Sequence, residues 1–202
     1  MTRINAVIFD FGGVLLKWNP HRMLEPYFSD RAAIEDFLNE IDFMSWNGLQ
    51  DKGRSYAEGI QELISQFPQY AKIAPALRHR WEESIDGPID GSILLLKALK
   101  KAGIPLYGLS NWSAETFPIV RQRFDFFSLF DGILISGDAQ LIKPDPAIYR
   151  LCLAMIGRPP EECLFIDDSA QNIASAVQLG FDTVHFRSAE DLREELLMRG
   201  LL

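Results

Sequence analysis

The residues able to do chemistry are Asp10, Ser110 with Asn111, Lys143, and the adjacent pair Asp167-Asp168. Each is bland alone. An aspartate closing an apolar run is usually a turn former or helix cap, Ser110-Asn111 reads as an N-cap, and a lysine before proline reads as a solvated loop residue. Adjacent carboxylates repel and call for a cation or a surface position. Taken together, these groups fit one reaction. A carboxylate is a poor nucleophile toward a phosphate monoester, because both are anions. A divalent metal held between Asp10 and Asp168 would remove that repulsion and align the phosphoryl group. Lys143 would neutralise further charge, and the Ser110 hydroxyl with nearby backbone N–H groups would hold phosphoryl oxygens. Gly12 and Gly13 let the backbone turn tightly beside the nucleophile, bringing its amides and a carbonyl close to ligand and metal. Asp10 would then carry an acyl-phosphate that water cleaves.

Such convergence requires elements that bring distant residues to one edge. Ile4 to Phe9 is nearly all apolar, β-branched and without alternation, which suits a strand buried on both faces. Ile104 to Leu109, Gly132 to Ile135, Cys163 to Ile166 and Thr183 to Phe186 read the same way. Between them lie punctuated helices. Ser92 to Ala102 stops at Gly103, and Asp145-Pro146 gives an N-cap and first-turn proline for a helix reaching Gly157. Ser169 begins a helix ending near Gly180, and Ser188-Ala189-Glu190-Asp191 resembles a capping box. Pro118 must lie in the first turn of any helix after Asn111, or kink it.

Strands alternating with helices predict a doubly wound, parallel α/β sheet. The polar groups fall at the C-terminal ends of these strands, where open α/β sheets place their ligand crevice. Residues from Trp18 to Gly87 break the alternation, bracketed by Asn19-Pro20 and Asp86-Gly87-Pro88. They carry helix-forming stretches, Asp30 to Glu40 and Ser55 to Phe67, and no convincing strand. The expected organisation is an α/β core of residues 1–17 and 88–202, with a helical insertion at 18–87.

Composition bounds the function. With 202 residues, 48% hydrophobic and 24% charged, the chain reads as globular with one substantial core. A formal net charge of −8 disfavours broad nucleic-acid or anionic-membrane binding. Cys152 and Cys163 sit in apolar surroundings without metal-ligand spacing, which suits reduced core thiols. Thr2-Arg3-Ile4-Asn5 runs into the first strand without a leader pattern, and no apolar stretch approaches the roughly 20 residues of a membrane span. A cytoplasmic location is expected.

The motifs resemble those of the haloacid dehalogenase superfamily. Asp10-Phe11-Gly12-Gly13-Val14 is similar to its first motif, Leu109-Ser110-Asn111 to its second, Lys143-Pro144-Asp145-Pro146-Ala147-Ile148-Tyr149 to its third, and Phe165-Ile166-Asp167-Asp168-Ser169 with Asn172 to its fourth. All occur in family order from Ile4 to Asn172. The resemblance implies a Rossmann-like core with a helical cap, and a Mg²⁺-dependent phosphatase acting on a small metabolite, a sugar phosphate among the options. It assigns Asp10 as nucleophile and places Mg²⁺ on Asp10, the Gly12 carbonyl and Asp168, with Asp167 as ligand or outer partner. Ser110 and Lys143 would bind the phosphoryl group, assisted by Asn111.

Phosphatases of this family usually carry a second aspartate two residues after the nucleophile, as general acid–base. Here that position is Gly12. General acid catalysis contributes about 10²–10⁴-fold, so a stand-in is worth seeking. His21 is one candidate, although a lone histidine after Asn19-Pro20 is more often solvated. The glycine also admits a 2-haloacid dehalogenase, whose aspartate displaces halide without metal. The adjacent carboxylates favour phosphoryl transfer instead. A catalytically feeble scaffold protein is the non-enzymatic alternative, and the retained nucleophile, lysine and acidic pair argue against it. Arg22, Lys52, Arg54, His79 and Arg80 read as solvated, Trp18, Trp46 and Trp81 as core, and Trp112 as the tryptophan nearest the crevice.

Overall fold

The structure, a computed structural model, describes residues 4–202; Thr2 and Arg3 lie outside them. β1 (Ala6–Phe9) is wholly buried, with Ala6 and Ile8 in one hydrophobic layer and Val7 and Phe9 in the other. Burial on both faces explains why its sequence shows no alternation. A short strand, β2 (Leu16–Trp18), then leads into a helical segment. Its helices are α1 (Arg31–Glu40), α2 (Phe43–Asp51), α3 (Tyr56–Gln66) and the single turn α4 (Ala76–His79). Asp30 caps α1 through the Ala33 amide, and Ser55 with Glu58 forms a capping box on α3. The chain returns through β3 (Ile85–Pro88), antiparallel to β2 with Leu16 opposite Pro88.

From there strand and helix alternate. α5 (Asp90–Lys101), β4 (Leu106–Ser110), α6 (Phe117–Arg123), β5 (Gly132–Ile135) and the short α7 (Ser136–Ala139) come first. α8 (Pro146–Ile156), β6 (Cys163–Asp167), α9 (Ala170–Gln178), β7 (Asp182–His185) and α10 (Ala189–Met198) follow. The sheet order is β5-β4-β1-β6-β7, and every neighbouring pair is parallel. α8 and α9 pack on one face with Ile8 and Phe165, while α5, α6 and α10 contribute to the larger core on the other. This is the doubly wound α/β fold expected from the alternation.

The chain moves outward from β1 to β4 and β5, then crosses back to β6 on the other side of β1. The strand order therefore reverses at β1, and the crevice of such a sheet opens there. Phe9 is level with Gly108 of β4 and Ile166 of β6, so Asp10 emerges beside Asp167 and close to Ser110.

Two local features depart from the sequence reading. The β2–β3 ribbon closes the neck of the insertion, but strands of three and four residues are too short to show a period. α2 is also unanticipated; its Gly48 and aromatic residues obscure helical spacing, and its N-cap Asp42 has a left-handed φ of 45° and caps nothing. The cap read at Ser188 is present: its side chain accepts from the Asp191 amide of α10. Among the described residues no helix is long and apolar enough to cross a membrane.

Candidate active site

Asp10 follows β1 and is buried, its amide fixed by the Ile166 carbonyl of β6 at 2.9 Å. One carboxylate oxygen, Oδ1, carries its contacts: the Phe11 amide donates to it at 2.7 Å, the Ser110 hydroxyl at 2.7 Å, and Lys143 Nζ lies at 3.0 Å. Oδ2 accepts no hydrogen bond from any described residue. Burial pushes the carboxyl pKa up to about 7 against the pull of Lys143, with Asp167 pushing the same way. An ionised Asp10 therefore gains strongly from added positive charge.

Lys143 reaches the crevice from the loop between α7 and α8 and is 3% exposed. Its ammonium donates to the Leu109 carbonyl at 3.0 Å and to Asp167 Oδ2 at 2.6 Å. Burial works against the charged form, but Asp10 and Asp167 outweigh it and raise the pKa. Asn111 holds the loop in place. Its Oδ1 accepts from the Lys143 amide at 2.8 Å while its Nδ2 donates to the Lys143 carbonyl at 3.0 Å. The expected phosphoryl-assisting amide is thus engaged in placing Lys143, although Asn111 also lines the cavity.

Asp167 and Asp168 part company. Asp167 is fully buried, accepting from Lys143, the Ser169 amide at 2.8 Å and Asn172 Nδ2 at 3.0 and 3.1 Å. Both of its oxygens are engaged, which is the geometry of an outer partner. Asp168 turns into the crevice. A Cβ on Gly13 would lie 2.0 Å from Asp168 Oδ2, and Gly13 has a φ of +75°, so glycine is required there both for conformation and for space. Carboxylate oxygens of Asp10, Asp167 and Asp168 lie within 4.8 Å of one another. Desolvation, and then the Asp167 charge, push the Asp168 pKa up as well. A free Asp10 oxygen, a crowded set of hard oxygens and a side chain held where a Cβ would sit suit a divalent cation.

A cavity of about 620 Å³ opens over this cluster. Gly12, Gly13, Ser110 and Asn111 form its floor with Asp10, Lys143 and Asp168, while Trp18, Met44, Asn47, Gly48 and Asp51 face them from the helical segment and its neck. Trp18 and Trp81 line it, as Trp112 does, whereas Trp46 is core and donates to the Gly59 carbonyl at 3.0 Å. Trp18 and Trp81 pack with the core, as read from the sequence, and both also reach the cavity wall. The candidate stand-in His21 is not in the site: it sits 2.8 Å from Glu35 Oε1 and 3.0 Å from Asn19 Oδ1, and is absent from the cavity wall. Arg22, Arg54 and Arg80 pair with Asp86, Glu62 and Glu83, away from the crevice. Asp51 is a cavity carboxyl the sequence does not announce, because Asp51-Lys52-Gly53 reads as an ordinary helix end.

Comparison with known proteins agrees with this geometry. One relative, the sesquiterpene phosphatase astK of Aspergillus oryzae, is 28% identical over 91% of this chain and 90% of its own. The drimenol cyclase drtB of Aspergillus calidoustus is 27% identical over 96% of this chain, which spans only 36% of that protein. Among solved structures, a HAD family enzyme of Bacteroides thetaiotaomicron superposes with a TM-score of 0.72 at 24% identity, covering 96% of this chain and 99% of that one. An L-2-haloacid dehalogenase does so at 0.73 and 21%, covering 97% and 100%, which shows the shared fold. The family profile of haloacid dehalogenase-like hydrolases matches residues 4–180, from the first strand to beyond the last motif, and the chain belongs to that family.

Proposed function

We propose that this hydrolase removes phosphate from a small organic phosphate monoester, with Mg²⁺ in the crevice and an aspartyl-phosphate on Asp10. The observation that carries the reading is the split environment of Asp10: Oδ1 is held by Ser110, Lys143 and the Phe11 amide, Oδ2 is left without a partner among the described residues, and the carboxyl group lies within 4.8 Å of Asp168. Mg²⁺ would be held by Asp10, Asp168 and the Gly12 carbonyl, where it supplies charge that lets a carboxylate approach a phosphoryl group. A structure of the Bacteroides enzyme contains magnesium and inorganic phosphate, and relatives named as phosphatases and pyrophosphatases point the same way.

Lys143 and Ser110 orient the phosphoryl oxygens and the Asp10 carboxylate attacks phosphorus opposite the leaving oxygen. Asp167 keeps Lys143 aimed, and Asn111 fixes the loop that carries it. The helical segment acts as a cap that excludes water. Its Trp18 and Met44, with Trp81, give the substrate body an apolar wall, which favours a compact apolar or aromatic group over a densely hydroxylated one. The two cysteines are free and buried, which suits a reducing cytosolic setting.

The test is phosphate release from a panel of monoesters with and without Mg²⁺, using Asp10→Asn as the blank and 2-chloropropionate as the dehalogenase control. Mg²⁺-dependent phosphate release lost in Asp10→Asn supports the proposal. Halide release insensitive to EDTA, without phosphatase activity, overturns it.

A further inference from the structure

Phosphoryl transfer to Asp10 leaves an alkoxide that needs a proton, and Gly12 cannot supply one. The titratable side chains lining the cavity, among the described residues, are Asp10, Lys143, Asp168 and Asp51. The first three are committed. Asp10 attacks, Asp168 faces the cation site, and Lys143 is tied to Asp10, Asp167 and the Leu109 carbonyl. Asp51 remains, and it stands on the cap side, facing the floor from which the leaving group departs.

Resting on the phosphatase reading above, we propose that Asp51 is the general acid that protonates the leaving oxygen, and the base that activates water for the second step. As the bond from the Asp10 carboxylate to phosphorus forms, the bond from phosphorus to the leaving oxygen breaks. Its electron pair stays on that oxygen, which takes the Asp51 proton. The Asp51 carboxylate then accepts a proton from the water that cleaves the aspartyl-phosphate, and both carboxyl groups return to their starting states.

The position is built. Asp51 closes α2, and its backbone carbonyl accepts the Ser136 hydroxyl, whose oxygen in turn accepts the Trp112 amide at 2.9 Å. The cap carboxyl is therefore tied to the loop that follows Ser110. Asn47, one turn earlier, donates to Asp51 Oδ2 at 2.9 Å. Burial raises the Asp51 carboxyl to about 7, with the Ser113 amide pulling it down and the Asp10 charge adding to the rise. From α3 the group facing it is the buried Tyr56, whose own pKa is raised by burial and by Asp51; beyond Tyr56 lie Arg78 and Glu115, paired with each other. A carboxyl still protonated near neutral pH can donate.

The experiment compares wild type and Asp51→Asn, with Mg²⁺, on an aryl phosphate with a good leaving group (4-nitrophenyl phosphate) and on an unactivated ester (2-phenylethyl phosphate). Expected is a kcat/KM loss of about 10²–10⁴-fold on the alkyl ester, a loss under about 10-fold on the aryl ester, and disappearance of the alkaline limb seen with the alkyl ester. Equal losses on both esters, or none on either, overturn the assignment while the phosphatase reading stands. Wild-type enzyme inactive on both removes the phosphatase reading and this inference with it. Should Asp51→Asn not fold, Asp51→Ser, which keeps an acceptor for the Ser113 amide, is judged by the same ratio.

Discussion

Asp167 and Lys143 form an ion pair with both side chains fully shielded from solvent, Oδ2 and Nζ standing 2.6 Å apart. The same ammonium lies 3.0 Å from Asp10 Oδ1, so one lysine serves two carboxylates. Breaking a buried pair by deleting one partner costs about 3–5 kcal/mol, because the survivor stays charged and dry. Lys143→Ala leaves two such survivors. Urea denaturation of the metal-free protein at pH 7.5 should show a loss at or above that range, with phosphatase activity falling to the level of Asp10→Asn. Asp167→Asn keeps the packing and the Asn172 contact but releases Lys143, and should lower kcat more than it raises KM.

Gly13 and Asp168 compete for one space, and the contest is testable through metal binding. In Gly13→Ala the new Cβ would meet Asp168 Oδ2 at 2.0 Å, on a backbone with a φ of +75° that costs an L-residue about 1–2 kcal/mol. Asp168 must swing away. Calorimetric titration with Mg²⁺ should show at least about a tenfold weaker Kd, equal to roughly 1.4 kcal/mol. Unchanged Mg²⁺ affinity in a folded Gly13→Ala would mean that Asp168 does not hold the cation.

Metal removal should also register in stability. Asp10 and Asp168 are both held above their ordinary pKa by desolvation, and a bound cation relieves both. A ligand that binds only the folded state stabilises by about 2.7 kcal/mol at 100 times its Kd. Thermal melts at pH 7.5 should therefore rise with added Mg²⁺ and fall back with EDTA. Asp168→Asn should melt at the same temperature with either.

The sheet and the convergence of its strand ends are legible in the sequence because burial on both faces writes unbroken apolar runs, and each run stops at a polar residue of the site. Phe9 gives way to Asp10 and Ile166 to Asp167, while Ser110 ends β4 itself. The helical insertion is legible as a break in the alternation. What it contributes to the cavity is not. Asp51 and Trp18 reach the site through the angle at which the segment folds over the sheet, and that angle depends on contacts such as Ser136 to the Asp51 carbonyl, 85 residues apart. Asn111 is legible as a polar residue at a strand end, but its bonds to both backbone groups of Lys143 emerge only in three dimensions.

Asp51 also makes a prediction that needs no substrate. Its carboxyl is raised from 3.8 to about 7 in the folded protein, chiefly by burial, so the folded state holds this proton more tightly than the unfolded chain does. The associated stability is present in full below the unfolded pKa and is lost as pH rises through the folded one. Wild type should therefore lose stability relative to Asp51→Asn between about pH 4 and pH 8, with most of the change complete just above neutrality. At about 1.36 kcal/mol per pKa unit the difference is on the order of a few kcal/mol, less whatever water reaches the carboxyl. Paired urea denaturations at pH 4.5 and pH 8 read it directly, since other carboxylates cancel in the comparison of the two proteins. A wild-type-to-variant difference that stays constant with pH would place Asp51 in ordinary solvent, already ionised at neutrality and unable to act as a proton donor.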